Sequence, residues 1–415
     1  MLTQVPVQPK SLQDYRPVVG DDVIDRLYAL AEPLRGARVV HVNATAYGGG
    51  VAEILQSLVP LMRDVGLDAR WEVIEGSDEF FNVTKTMHNG LQGMDVPFEE
   101  EHRAIWVRYN RLNAENFSGP YDFAVIHDPQ PAGLHHFTAG KPARHWIWRC
   151  HIDTSAPTPA FWEFLVPYLN GYGAGIFTMR EYVGPGLHFP HLAIIAPTID
   201  PLSPKNRSMS SDEARRVVAR FGVDTERPLM LQVSRFDPWK DPLGVIDAYR
   251  LVKAHVPELQ LALVGSMASD DPEGWSLYDR TLRHAGEDFD IHVLHNFHGV
   301  GNEEVNAFQT AADVVVQKSL REGFGLVVTE ALWKGKPVVG GRAGGIPLQV
   351  IEGQTGFLVE SVEACADRVL YLLRFPEERA RMGERGREHV RRHFLITRLL
   401  EDYLRLFLQM EGQSA

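Results

Sequence analysis

The chain has 415 residues, 44% of them hydrophobic and 23% charged, with a formal net charge of −12. That length suits roughly two to three globular domains, and the acidic balance argues against a nucleic-acid binder, which would carry a basic stripe or patch. Only Cys150 and Cys365 occur, so no disulfide framework is indicated; residues 1–6 lack a secretory leader's basic start and apolar core, and no apolar run reaches the length of a spanning helix.

A protein in the cytoplasm is therefore expected, soluble and without a membrane partner. An anionic substrate must be captured by local cations and backbone amides, because the overall field repels it.

From residue 37 short apolar strands alternate with segments of helical spacing, the pattern of parallel sheets with helices on both faces. The first strand, 37–42, runs into Gly48-Gly49-Gly50 and then a helical stretch over 51–67. Glycines between a strand and a helix let a ligand approach the backbone. The triplet lacks the Gly-x-Gly-x-x-Gly fingerprint of nicotinamide binders, and a plain tight turn is the competing reading. If 84–93 is helical, Lys85, His88, Asn89 and Gln92 share one face and Met87, Leu91 and Met94 another. Amides and imidazoles both donate to and accept from hydroxyls, which suits a sugar, although a solvated helix face accounts for the stripe equally well. Further strands are expected at 70–74, 123–127, 145–149 and 192–195. Two of them end in polar residues at a sheet edge, His127-Asp128 and then His151 with Asp153.

The proline-rich stretch 196–204 reads as a linker. We therefore expect an N-terminal domain over 1–198, a second over 199–390, and a C-terminal helix over 391–415 whose apolar face is Leu399, Leu400, Tyr403, Leu404 and Phe407. In the second domain strands are expected at 229–233, 261–264, 291–294, 313–317 and 337–339, and Ser210-Ser211-Asp212-Glu213 has the capping-box pattern of a helix start.

Past the strand 229–233 lies a loop confined by Pro238 and Pro242 that carries Arg235 and Lys240. Open parallel sheets bind ligands at that edge; arginine can clamp an oxyanion in bidentate fashion and lysine adds a point charge. After the strand 313–317 comes Glu322-Gly323-Phe324-Gly325-Leu326, with Glu330 eight positions beyond Glu322. The amides from Gly323 to Leu326 open a helix whose positive end suits a phosphate, and Glu330 lies on a flank that could reach a ribose. Alone, this is a glycine-capped turn with two solvated glutamates. Together with Arg235 and Lys240 it describes a diphosphate pocket. No metal site is expected: there is no His-Glu-x-x-His, and the sole Asp-x-Asp, Asp288-Phe289-Asp290, sits in a polar, loop-like segment.

Ser234-Arg235-Phe236-Asp237 with Lys240, followed by Glu322-Gly323-Phe324-Gly325-Leu326 and Glu330, resembles the retaining nucleotide-sugar glycosyltransferases of the sucrose synthase and glycogen synthase kind. In the N-terminal half, His41 to Glu53, Lys85 to Gly93, His127 to Gln130 and Arg149 to Asp153 resemble the trehalose glycosyltransferring synthases, a pattern much of which retaining trehalose phosphorylases share. The resemblance implies two facing Rossmann-like domains of GT-B type with a cleft between them, and the final helix crossing back onto the first domain.

It further implies transfer of glucose from ADP-, UDP- or GDP-glucose to free glucose, making α,α-trehalose with retention and requiring no cofactor. Donor contacts would come from Gly49, Gly50, Arg235, Lys240, Glu322 to Leu326 and Glu330, and acceptor contacts from Tyr47, Lys85, His88, Asn89, Gln92 and Asp153. His151 would hold the donor sugar and join Glu322, Arg235 and Lys240 as the catalytic set. A homodimer is a candidate oligomer. The alternatives are a trehalose phosphorylase using inorganic phosphate, a nucleotide-sugar epimerase needing no acceptor, and a sugar-nucleotide sensor without turnover.

Overall fold

The computed structural model describes residues 2–267 and 272–413. It divides into two compact units, Met1–Thr198 with Ile396–Ala415, and Ile199–Leu395.

The first unit is built on a sheet of seven strands: β1 (Thr3–Gln4), β2 (Arg38–Asn43), β3 (Asp68–Val73), β4 (Tyr121–His127), β5 (Ala143–Arg149), β6 (Ala174–Phe177) and β7 (His191–Ile194). Their order across the sheet is β1-β3-β2-β4-β5-β6-β7, and all pairings are parallel except β1 with β3. The central strands are apolar without alternation because helices cover both faces: in β2 every residue after Arg38 is buried. The helix Gly50–Asp64 returns the chain from β2 to β3.

The last helix, Ile396–Met410, belongs to this unit. It was expected from 391, but residues through His393 complete the preceding helix, Pro376–His393, and the chain breaks at Phe394 and Leu395. Its apolar face is buried at all five expected positions, with Phe407 stacked on Phe123 of β4 at 4.2 Å. Each such side chain contributes about 1.5–3 kcal/mol of burial.

The second unit carries six parallel strands: β8 (Leu229–Val233), β9 (Gln260–Gly265), β10 (Ile291–His295), β11 (Val314–Gln317), β12 (Val338–Gly341) and β13 (Gly356–Val359), ordered β10-β9-β8-β11-β12-β13. Two loops leave the adjacent strands β8 and β11 at the same sheet edge. They are the loop with Arg235 and Lys240 and the loop with Glu322. The helix Ser211–Ala219 starts as its sequence indicates, with Ser210 Oγ accepting from the Glu213 amide at 3.2 Å. Among the described residues no helix is long and apolar enough to cross a membrane.

Candidate active site

In the second unit, Lys240 and Glu322 meet although 82 positions separate them: Lys240 Nζ donates to Glu322 Oε2 at 2.6 Å. Both ends are prepared by the strands that carry them. Gln232 of β8 donates to the Lys240 carbonyl at 2.7 Å, and Gln317 of β11 donates to Ser319 Oγ at 3.1 Å, which lies 3.3 Å from Glu322 Oε2. Asp241, in the left-handed region at φ 49°, ends the cation loop by capping the next helix at the Gly244 amide and holding Lys318.

Arg235 stands apart. Its side chain is 66% exposed and pairs with Asp237 at 3.7 Å, so the expected paired clamp is, in this structure, one engaged lysine and one outward arginine.

The glycine turn is fixed from behind. Gly325 adopts φ 84° and caps the helix Leu326–Trp333. Phe324 is buried, and its carbonyl accepts from Gln349 at 2.6 Å; Gln349 also accepts from Thr329 at 2.5 Å. A Cβ on Gly345 would lie 2.7 Å from the Phe324 ring and 3.2 Å from the Gly323 carbonyl, so that glycine is what lets the two loops touch. Ser319, Gly345 and Gln349 were not among the expected site residues. The available signal was polar residues following apolar strands, together with a second glycine pair, Gly344-Gly345.

Glu330 differs from its expected reach. The helix Leu326–Trp333 is buried from Val328 onward, and Glu330, 1% exposed, is enclosed by Gln309 at 3.2 Å and Lys205 at 3.3 Å. A ribose can reach this carboxylate only if these neighbours yield. Nearby Lys334 is held down to about 8 by burial. The Asp-x-Asp segment is a structural knot: Asp288 and Asp290 are bound by Lys253 at 3.1 and 2.7 Å, and Asp290 by Arg227 at 2.7 Å.

In the first unit, Gly48 has φ 72° and Gly49 caps the helix Gly50–Asp64, while Tyr47 is 77% exposed. The acceptor stripe lies on a helix longer than expected, Asp78–Leu91, capped by Ser77 at its start and Gln92 at its end. Lys85 is exposed, His88 and Asn89 are partly so, and Gln92 is buried. Met87 and Leu91 are fully buried, and a Cβ on Gly90 would meet Phe161 at 2.3 Å, so this glycine brings the helix against Pro159–Leu169. Asp153 Oδ1 accepts the Ser155 amide at 2.9 Å and the Ser155 hydroxyl at 2.6 Å.

The strand ends β2, β4 and β5 bring three histidines together. His41 Nδ1 and His127 Nε2 are 3.0 Å apart, and His127 Nδ1 and His151 Nε2 are also 3.0 Å apart. Asp128, at φ 64°, accepts the His151 amide on Oδ1 at 2.7 Å. Burial pushes the His41 imidazole down to about 3 and holds His127 and His151 well below the usual range, with Arg149 adding to the effect on both; burial raises Asp128 to about 7.

An unfolded histidine titrates near 6.5, so below that pH the unfolded chain takes protons that the buried imidazoles refuse. The stability His41 contributes is therefore full above about 6.5 and is lost as pH falls, at about 1.4 kcal/mol per pH unit. Asp128 acts with the opposite sign and is common to wild type and variant. His41→Phe should thus flatten the loss of stability between pH 6 and 4 by about one proton, read by denaturant unfolding across that range. Parallel slopes would count against this account.

Known proteins match both units. Residues 41–184 fit the family model of the trehalose synthase N-terminal domain, and residues 214–389 that of group 1 glycosyl transferases. A trehalose synthase from Rubrobacter xylanophilus is 54% identical, the match covering 99% of this chain and all of that one. The chain belongs to the trehalose synthase family.

The trehalose synthase match runs the full length, whereas a trehalose phosphorylase from Grifola frondosa is 28% identical, with 91% of this chain and only 58% of that one covered. A sucrose-phosphate synthase from Thermosynechococcus elongatus has a similar fold, superposing on this trehalose synthase family chain with a TM-score of 0.69 at 18% identity over 91% of this chain and 99% of that one. The protein is a glycosyltransferase with two Rossmann-like sheets, as its sequence resemblance implies.

Proposed function

We propose that the protein makes α,α-trehalose from a nucleoside diphosphate glucose and free glucose, with retention at the anomeric carbon. The observation that carries this is the full-length agreement with a trehalose synthase, joined to a lysine and a glutamate locked together at the strand ends where a nucleotide sugar would lie.

The second unit takes the donor. Lys240 lies against the diphosphate with the Gly323 to Leu326 amides, and Arg235 swings from Asp237 to join them. Glu322 holds glucose hydroxyls, and Glu330 takes the ribose in place of Lys205. In the first unit His151 contacts the donor sugar, and Gly49 and Gly50 lie along the donor. Tyr47, Lys85, His88, Asn89, Gln92 and Asp153 receive the acceptor glucose.

The acceptor hydroxyl oxygen bonds to C1 on the face from which the phosphate oxygen departs. The C1–O bond to phosphate breaks with its electron pair going to that oxygen, which collects the acceptor's proton. Protein cations and amides stabilise the departing charge.

The test is to supply UDP-, ADP- and GDP-glucose with and without glucose, in excess EDTA, and to follow trehalose. Formation in chelator is the expected result. Trehalose breakdown that needs inorganic phosphate and not a nucleoside diphosphate would instead make the protein a phosphorylase, and donor conversion without acceptor an epimerase. Asn89→Ala should raise the KM for glucose about 2–12-fold, the equivalent of one neutral hydrogen bond of about 0.5–1.5 kcal/mol, and leave that for the donor unchanged. An unchanged glucose KM would return the stripe to an ordinary solvated face.

A further inference from the structure

The three histidines at the strand ends of the first unit form one connected chain whose inner end is sealed. His41 is 0% exposed and its Nε2 is buried without a hydrogen-bond partner; His127 is 2% exposed, and His151 is partly exposed. The ring centroids are spaced 5.3 Å apart at both steps. A neutral imidazole carries a proton on one ring nitrogen and a lone pair on the other. Two imidazole–imidazole hydrogen bonds in series therefore leave only two arrangements.

In the first, His41 Nδ1–H donates to His127, His127 Nδ1–H donates to His151, and His151 carries its proton on Nδ1. In the second every proton is reversed, and His41 Nε2–H becomes a buried donor. Orphaned buried N–H groups are rarer than under-satisfied acceptors, so the first arrangement is preferred.

We propose that His41 and His127 are positioning residues that fix His151 as the neutral Nδ1–H tautomer, so that it presents a hydrogen-bond donor at its open end. A sugar hydroxyl or ring oxygen there is met as an acceptor. Protonating His151 on Nε2 would force the whole chain to reverse and strand the His41 proton. The surrounding charges work the same way. Arg149, buried with two of its guanidinium nitrogens unpartnered, disfavours a second cation beside it. Tyr403 of the last helix stands edge-on to His41 at 5.6 Å and is pushed up to about 12, so it stays neutral. Asp128 faces the chain from the end of β4 and is occupied by the His151 amide. Asp402 and Arg398, on the last helix, pair with each other.

The catalytic consequence rests on His151 contacting the donor sugar, as proposed above; the tautomer does not. Nitrogen-15 spectra of the ligand-free protein labelled in its histidines distinguish protonated from bare ring nitrogens, with assignment by single substitution. His127 and His151 should both show a protonated Nδ1 and a bare Nε2, unchanged from pH 8 to 5.5. A protonated Nε2 on His151, or its titration near pH 6.5, would overturn the assignment.

His127→Phe removes the donor that keeps His151 Nε2 bare, so part of the His151 proton should move to Nε2 in the spectra, while burial and Arg149 still oppose a second charge there. Its turnover should fall below wild type to the extent that His151 loses its Nδ1 proton, the two changes going together. A purely structural role predicts lost turnover with the His151 tautomer unchanged, and that result would also overturn the proposal. If His127→Phe does not fold, His41→Phe, which removes the buried nitrogen that penalises the reversed chain, should shift the same His151 ring-nitrogen signals. His151→Ala with near wild-type turnover would sink the sugar contact while the spectra still report the tautomer.

Discussion

Lys240→Ala is expected to lower turnover about 10²–10³-fold at saturating donor, the usual loss when a group that stabilises developing charge is removed. The protein's net charge of −12 gives a diphosphate no general welcome, and at this loop the engaged cation is Lys240. The same substitution has a second, separable effect. Glu322 is 9% exposed, and the substitution removes the 2.6 Å charge partner of a largely buried carboxylate. Breaking a buried pair from one side costs about 3–5 kcal/mol, and this partly exposed pair belongs at or below the low end.

Adding Glu322→Gln to Lys240→Ala should therefore return some stability and no turnover. Steady-state kinetics beside denaturant unfolding separates the two. Turnover within a few-fold of wild type in folded Lys240→Ala, or recovery of turnover in the double variant, would remove Lys240 from the chemistry.

Gly383→Ala should lower stability by about 2 kcal/mol or more. Gly383 lies in the helix Pro376–His393, and a Cβ there would sit 1.9 Å from the Gly335 carbonyl oxygen and 2.7 Å from its carbon. The obstacle is backbone, in the turn that ends the helix carrying Glu330, so it cannot rotate away as a side chain would. Overpacking costs about 1–3 kcal/mol and more when nothing yields, which outweighs the roughly 1 kcal/mol that alanine gains over glycine in a helix. Gly386→Ala is the control: its Cβ would meet the Leu332 methyl at 2.8 Å, which can move. Denaturant midpoints should rank wild type, then Gly386→Ala, then Gly383→Ala; an unshifted Gly383→Ala would show that the two helices are not in this register.

The sheets were legible because parallel strands covered on both faces must be apolar throughout, and residues 313–317 or 123–127 advertise that plainly. The candidate loops stand out in the sequence because strand ends and glycines coincide. What the chain does not display is pairing across distance. That Lys240 rather than Arg235 takes Glu322 depends on β8 and β11 being neighbours, which no local pattern states. The same is true of His41 inside β2, His127 at the end of β4 and His151 just past β5, each an ordinary polar residue until the three strands are set side by side. The enclosure of Glu330 was hidden for a different reason. Helical spacing tells which residues share a face, but the helix Leu326–Trp333 has no free face beyond its first turn, so a carboxylate placed on its flank is enclosed by Gln309 and Lys205.

The first unit is stitched from both ends of the chain, Met1–Thr198 and Ile396–Ala415. On the ribosome this imposes an order. Phe123 and its neighbours on the sheet emerge long before Phe407 exists to cover them. At about 5–20 residues per second, the roughly 200 residues of Ile199–Leu395 take on the order of 10–40 s to synthesise. Throughout that interval the nascent first unit carries an open apolar strip, and the second unit, continuous in sequence, can complete its core first. Maturation thus runs inside out with respect to the gene: the half that begins translation is the half that finishes folding last, and a chain truncated by its final helix would leave that strip uncovered for good.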